Sequence, residues 1–135
     1  MTASIPDSTR DLFERPLLCA LSTINPDGQP HTVPVWCDFD GTYIRVNCPA
    51  ASRKARNMRQ GSKVTVLVLD PQQGYHWIEV MGHIVEIRDE QNGAREHINS
   101  LSQKYTGNPI YQGYGGRSNE NRLMYLIEPD KVHGR

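Results

Sequence analysis

Apolar and polar residues alternate with a period near two along most of this chain, and turn sequences cut the alternation into short segments. Leu17 to Ile24 departs from it: the run is almost continuously apolar and ends at Asn25-Pro26-Asp27-Gly28, which predicts a strand buried on both faces. From Pro30 to Phe39, Val33, Val35, Cys37 and Phe39 point one way and Thr32, Pro34, Trp36 and Asp38 the other. Pro34 has no N–H for a ladder, so its strand belongs at an edge, a bulge or beside a ligand. After the Asp40-Gly41 turn, the same patterning predicts strands over Thr42–Cys48, Lys63–Leu69, Tyr75–Arg88 and Arg122–Glu128, the last stopped by Pro129. Within Tyr75–Arg88 the phase slips. Ile78 and Val80 occupy even positions whereas Val85 and Ile87 occupy odd ones, so a bulge near Gly82 is predicted to absorb one residue and bend the strand.

The period changes to that of a helix only between Gln91 and Tyr105, where Ala94, Ile98, Leu101 and Tyr105 share a face, with Gly107 as C-cap and Pro109 as stop. A short helix capped by Asp7 or Ser8 carries Leu12 and Phe13 and ends at Pro16. Residues 110–121 have neither period and read as an irregular loop. Six strands joined by hairpin turns, with one long helix, predict a mainly β chain: a six-stranded antiparallel barrel with a few short helices. The 135 residues form one domain, 1–135, large enough to bury about two thirds of the surface of the unfolded chain.

Charge sharpens one segment. Lys plus Arg and Asp plus Glu are fifteen each, so no global field draws the protein to nucleic acid or membrane, and an anion must be bound locally. Four of the cations, Arg53, Lys54, Arg56 and Arg59, fall between Ala51 and Gly61. There Ala51, Ala55 and Met58 fit one apolar helical face, with Ser52 as N-cap. Alone, the segment is a solvated helix between two strands; with Ser, Arg and Lys at its start it also suits a phosphate. No aromatic residue accompanies these cations, which argues against single-stranded nucleic acid. Cys19, Cys37 and Cys48 are odd in number, lack a C-x-x-C pair and read as buried free thiols of a reducing cytosol. The five histidines offer no H-x-x-x-H pair, so no metal site is expected. Gly115-Gly116-Arg117-Ser118 is only a weak likeness to a phosphate or oxyanion loop, and Glu79 and Glu86 have no acid–base partner and read as solvated or ion-paired. The polar N-terminus and the absence of a ~20-residue apolar run lead us to expect a soluble, cytoplasmic protein with no membrane partner.

An ordered set of motifs extends this reading. Asn-Pro-Asp-Gly-Gln-Pro (25–30), Thr-Val-Pro-Val-Trp (32–36), Val-Asn (46–47), Ser-Arg-Lys-Ala-Arg-Asn-Met-Arg (52–59), Val-Met-Gly-His-Ile-Val-Glu-Ile (80–87) and Val-His-Gly (132–134) together resemble the pyridoxamine-phosphate-oxidase-like flavin and deazaflavin oxidoreductases. The resemblance is greatest to the branch that uses the deazaflavin coenzyme F420. It implies a split β-barrel, a homodimer with cofactors at the subunit interface, and hydride transfer to a conjugated small-molecule substrate without a catalytic side chain. By motif match, Ser52, Arg53 and Lys54 hold the cofactor phosphate and Asn57 supports that turn. Thr32, Val33, Pro34 and Val35 run along the ring system, Asn47 lies near the ribityl chain, and Trp77 stands where the family often carries an aromatic residue. Ser52 stands where some relatives carry a second cation. Arg56 and Arg59 are candidates for the anionic oligoglutamate tail of F420. The alternatives are FMN as cofactor, and a cofactor-binding protein without turnover.

Overall fold

A computed structural model of the chain describes residues 2–113, 115 and 120–135. Apart from Gly115, the Gly115-Gly116-Arg117-Ser118 motif lies outside the described residues. Seven strands form one antiparallel sheet: β1 (Cys19–Ile24), β2 (Pro30–Val35), β3 (Cys37–Phe39), β4 (Ile44–Pro49), β5 (Lys63–Asp70), β6 (Gln73–Arg88) and β7 (Arg122–Gly134). The expected count of six is corrected because the Pro30–Phe39 segment breaks at Trp36. The sheet order is β2-β1-β5-β6-β7-β4-β3. Consecutive strands β2 and β3 therefore stand at opposite ends of the order with one residue between them. Such a sheet must curl until its two edges meet, and Trp36 is the corner.

A second covalent link crosses the same seam. Cys19 on β1 and Cys37 on β3 form a disulfide with Cα atoms 6.5 Å apart. This corrects the expectation of three free thiols; Cys48 alone is free, and it is buried. Spacing concealed the pair because Cys37 reaches Cys19 only through the turn of the chain at Trp36.

The bulge expected near Gly82 is present. The β6–β7 register shifts between Met81 and Gly82 and again between Ile84 and Glu86. Opposite Gly82 stands Pro129, which the pairing tolerates at an irregularity, so β7 runs on to Gly134 and does not stop at Glu128. The inner faces enclose the core, with Leu21, Val66, Ile78, Ile84 and Ile127 fully buried.

Among the described residues, three α-helices complete the fold: α1 (Asp11–Glu14), α2 (Arg53–Asn57) and α3 (Ala94–Thr106). Helix α3 ends as expected at Gly107, whose φ of +82° is accessible to glycine without a Cβ clash. Its Ala94, Ile98 and Leu101 are buried, while Tyr105 donates through its hydroxyl to the carbonyl of Leu17 at 2.6 Å. Helix α2 is shorter than the basic segment suggested; Met58 is already extended, and Ala51 is exposed while Ala55 and Met58 are buried. Glu79 Oε1 lies 3.2 Å from His133 Nδ1, and Glu86 is ion-paired to Arg88. Among the described residues, no helix is long and apolar enough to cross a membrane.

One expectation for β1 fails in an informative way. Cys19, Leu21 and Thr23 face the core, but Ile24 is 50% exposed and Leu18, just before the strand, is 60% exposed. Leu69 on the neighbouring β5 is 46% exposed. The run from Leu17 to Ile24 is thus buried on one face only within a single chain.

Candidate functional site

A cavity of about 440 Å³ opens at the seam. Its apolar wall comes from Leu18, Pro34, Val35, Trp36 and Ile98, and its polar wall from Asn47, Lys54, Tyr111, Glu120 and Arg122. The fold explains the meeting. The ends of β2 and β4, the start of β7 and helix α2 converge where the sheet fails to close laterally. Pro34 sits on β2, a terminal strand of the sheet, so its missing N–H interrupts no ladder. Trp36 is held flat against Tyr105, with ring centroids 5.1 Å apart and 11° between planes, and meets Tyr111 edge-on at 6.0 Å. One stacked and one edge-on contact fix the indole and give the cavity a rigid aromatic side.

Of the residues expected from the sequence, the structure brings Pro34, Val35, Asn47 and Lys54 to this cavity. Thr32 is exposed one alternation further out, its hydroxyl 2.8 Å from that of Ser22, and Val33 leans on the core. Ser52 caps α2: its Oγ accepts from the Ala55 N–H at 3.2 Å and donates to the Pro49 carbonyl at 2.8 Å. The Ser52 hydroxyl proton is thereby committed to the fold. Arg53, Arg56 and Arg59 are exposed. Asn57 donates to Thr23 Oγ1 at 3.0 Å and to Asn25 Oδ1 at 2.9 Å, which pins α2 to the β1–β2 hairpin. Trp77 is not brought to the cavity. It pairs with Arg135 at the far end of the β6–β7 ladder, about 40 Å along the strand from Arg122.

Sequence reasoning missed Arg122, Tyr111 and the chain of polar contacts behind them. Asn47 Oδ1 accepts from Arg122 Nε at 2.7 Å, while its Nδ2 donates to the Ala94 carbonyl at 2.9 Å and lies 3.2 Å from His97 Nδ1. His97 Nε2 is 3.2 Å from Asp38 Oδ1, and Arg45 grips Asp38 through Nε at 2.9 Å and Nη2 at 2.7 Å. Burial alone would raise the Asp38 carboxyl, but hydrogen bonds from His97 and Arg45 outweigh it and bring its pKa down to about 2. Burial pushes the Cys48 thiol up, against the pull of nearby Lys54 and Arg122. That thiol is a poor nucleophile where it stands.

His83 lies near Glu128 and Asp130, the group of described residues with metal-ligand chemistry. Its Nδ1 is 2.8 Å from Asp130 and its Nε2 4.0 Å from Glu128, so the ring sits between two carboxylates on an accessible surface, and ordinary surface hydrogen bonding accounts for the cluster.

Comparison with known proteins decides the family. The sequence profile described as pyridoxamine 5'-phosphate oxidase matches residues 5–135. The chain belongs to the pyridoxamine 5'-phosphate oxidase family. Among solved structures, an F420 reductase is 27% identical, with a TM-score of 0.81 over 97% of this chain and 100% of its own. A conserved hypothetical protein from Mycobacterium tuberculosis is 24% identical, with a TM-score of 0.72 over 97% of this chain and 84% of its own. General Stress Protein 26 from Bacillus anthracis is 20% identical, with a TM-score of 0.67 over 94% and 90%. A search among curated proteins finds no match. Membership of the pyridoxamine 5'-phosphate oxidase family supports a flavin-type oxidoreductase role.

Proposed function

We propose that this chain is an oxidoreductase that binds reduced coenzyme F420 in the seam cavity and passes a hydride to a conjugated small molecule. The observation that carries the reading is the pairing, in one cavity, of a flat wall from Pro34 to Trp36 with the ammonium of Lys54. A planar heterocycle with a phosphorylated side chain needs both. When bound, the deazaflavin supplies a two-electron donor, so a nucleophilic side chain is not required. The protein's share is to bind and orient: Trp36 and Val35 give a rigid apolar face, the terminal strand β2 has one backbone edge without a strand partner, and Lys54 answers the phosphate. Arg53, Arg56 and Arg59 stand exposed on or beside the same short helix, where an anionic oligoglutamate tail would meet them.

FMN is the second reading, supported by the family itself; a protein that holds a cofactor without turnover is the third. Equilibrium titration with both cofactors separates the first two, and consumption of reduced F420 with a panel of quinones and enones separates the third. Tight FMN binding without F420 binding would reverse the choice. Lys54→Ala should weaken cofactor binding by roughly 1.5–3 kcal/mol through the lost charge-assisted contact. Unchanged affinity would remove Lys54 from the phosphate.

We further propose a homodimer, supported by the outward Leu18, Ile24 and Leu69, apolar side chains that one chain leaves in water. In that assembly Trp77 acts, if at all, on the other copy's cavity. Sedimentation equilibrium should give twice the chain mass at micromolar concentration. A monomer would sink this part of the reading.

A further inference from the structure

Arg122 is 5% exposed yet borders the seam cavity. Its guanidinium donates from Nε to Asn47 Oδ1 at 2.7 Å and from Nη1 to the Tyr111 hydroxyl at 3.4 Å, and the Tyr111 ring lies 4.9 Å beneath it. All these partners are neutral. Among the described residues, no carboxylate stands within ion-pair distance of the guanidinium: Glu90 accepts from the Arg122 backbone N–H and is paired with Arg95, and Glu120, on the same cavity wall, acts on Arg122 through its charge from beyond that distance. Nη2 makes no hydrogen bond, and no fully buried side-chain nitrogen or oxygen among the described residues lacks a partner, so Nη2 keeps an opening to the cavity. A buried cation with no carboxylate at ion-pair distance is costly, and the cost falls when an anion fills the space before it.

We propose that Arg122, held by Asn47 and Tyr111, is an anion-binding residue of the seam cavity and receives, together with Lys54, a phosphate of the bound molecule. The backbone makes the two cations neighbours. Arg122 is the register partner of Pro49, whose carbonyl accepts the Ser52 hydroxyl at the start of α2, and both cations lie within electrostatic reach of the Cys48 thiol. Lys54 is a flexible point charge, whereas Arg122 is a fixed fork suited to two oxygens of one phosphate. Asn47 is then a positioning residue for Arg122, since its side-chain oxygen and nitrogen are both already engaged. The link to a cofactor phosphate rests on the proposed function; the anion site itself does not.

Two measurements test it, both on the full chain. Inorganic phosphate, added at constant ionic strength against chloride, should raise the thermal midpoint of the wild type, and Arg122→Gln should lose most of that rise. No rise in the wild type, or an equal rise in both proteins, overturns the assignment. Arg122→Gln should also weaken FMN binding by about tenfold or more while riboflavin, which lacks the phosphate, changes by less than about twofold. Equal losses for the two flavins would make Arg122 a structural residue and overturn the assignment as well. Should Arg122→Gln not fold, Arg122→Lys takes its place, with a smaller phosphate rise expected and an equal one overturning. A wild type that shows the Arg122-dependent phosphate rise but binds neither FMN nor F420 would sink the cofactor reading and leave the anion site standing.

Discussion

Gly82→Ala is expected to lower stability by about 3 kcal/mol or more, a large part of the whole for a domain of this size. Gly82 sits at the first β6–β7 register shift, where β7 passes so closely that an added Cβ would fall inside contact distance of the Glu128 carbonyl oxygen and 2.9 Å from Ile127 Cγ2. The first of these is backbone in the longest ladder of the sheet and cannot swing aside as a side-chain tip would. Relief requires β7 to move off β6, which breaks pairing on both sides of the bulge. Gly74→Ala provides the control within the same strand: it is exposed, nothing lies within 4 Å of the added carbon, and a change within about 0.5 kcal/mol is expected. Urea unfolding of both variants measures the difference. Equal, small effects would show that β7 has room at Pro129.

Asp38→Asn is expected to cost about 3 kcal/mol at pH 7, because it removes the negative charge beside half-buried Arg45 and sets an amide N–H donor against Arg45 Nη2. The side chain of Asp38 is 19% exposed, so solvent screens the pair only in part. The pH dependence has a definite sign. The folded carboxyl titrates at about 2, below the ordinary value of 3.8, so its contribution is complete above pH ~4 and is lost as pH falls toward 2. That titrating share is about 2 kcal/mol. The stability gap between wild type and Asp38→Asn should therefore be widest near neutrality and narrow between pH 4 and 2. A gap independent of pH would mean that the loss comes from packing and not from the carboxylate.

Much of this fold is legible in the sequence because period-two alternation and turn residues are local signals. The hairpin at Asn25–Gly28, the phase slip at Gly82 and the cap at Gly107 are each written within a few residues, and each stands where expected. What escaped is non-local. The break at Trp36, the Cys19–Cys37 link and the run of β7 past Pro129 all depend on which strands become neighbours when the sheet curls. The candidate site divides in the same way. Pro34, Val35, Asn47 and Lys54 belong to short contiguous motifs, whereas Arg122 comes from a strand whose pattern marks only an edge of the last element. An arginine at the start of a strand is ordinarily solvated, and nothing near it in sequence announces that Asn47 will bury it.

The sheet order also fixes when, during synthesis, the site comes into being. Strands β1, β2 and β5 can pair once about half the chain has emerged, but the wing of β3 and β4 is joined to them laterally only through β7. The cavity draws on both halves, so it stays unmade until the last strand leaves the ribosome. A nascent chain that stalls before Arg122 has its aromatic wall and Lys54 but no enclosure, although Cys37 can already reach Cys19 through the β1–β2 hairpin and the turn at Trp36. The completed cavity thus depends on insertion of the C-terminal strand.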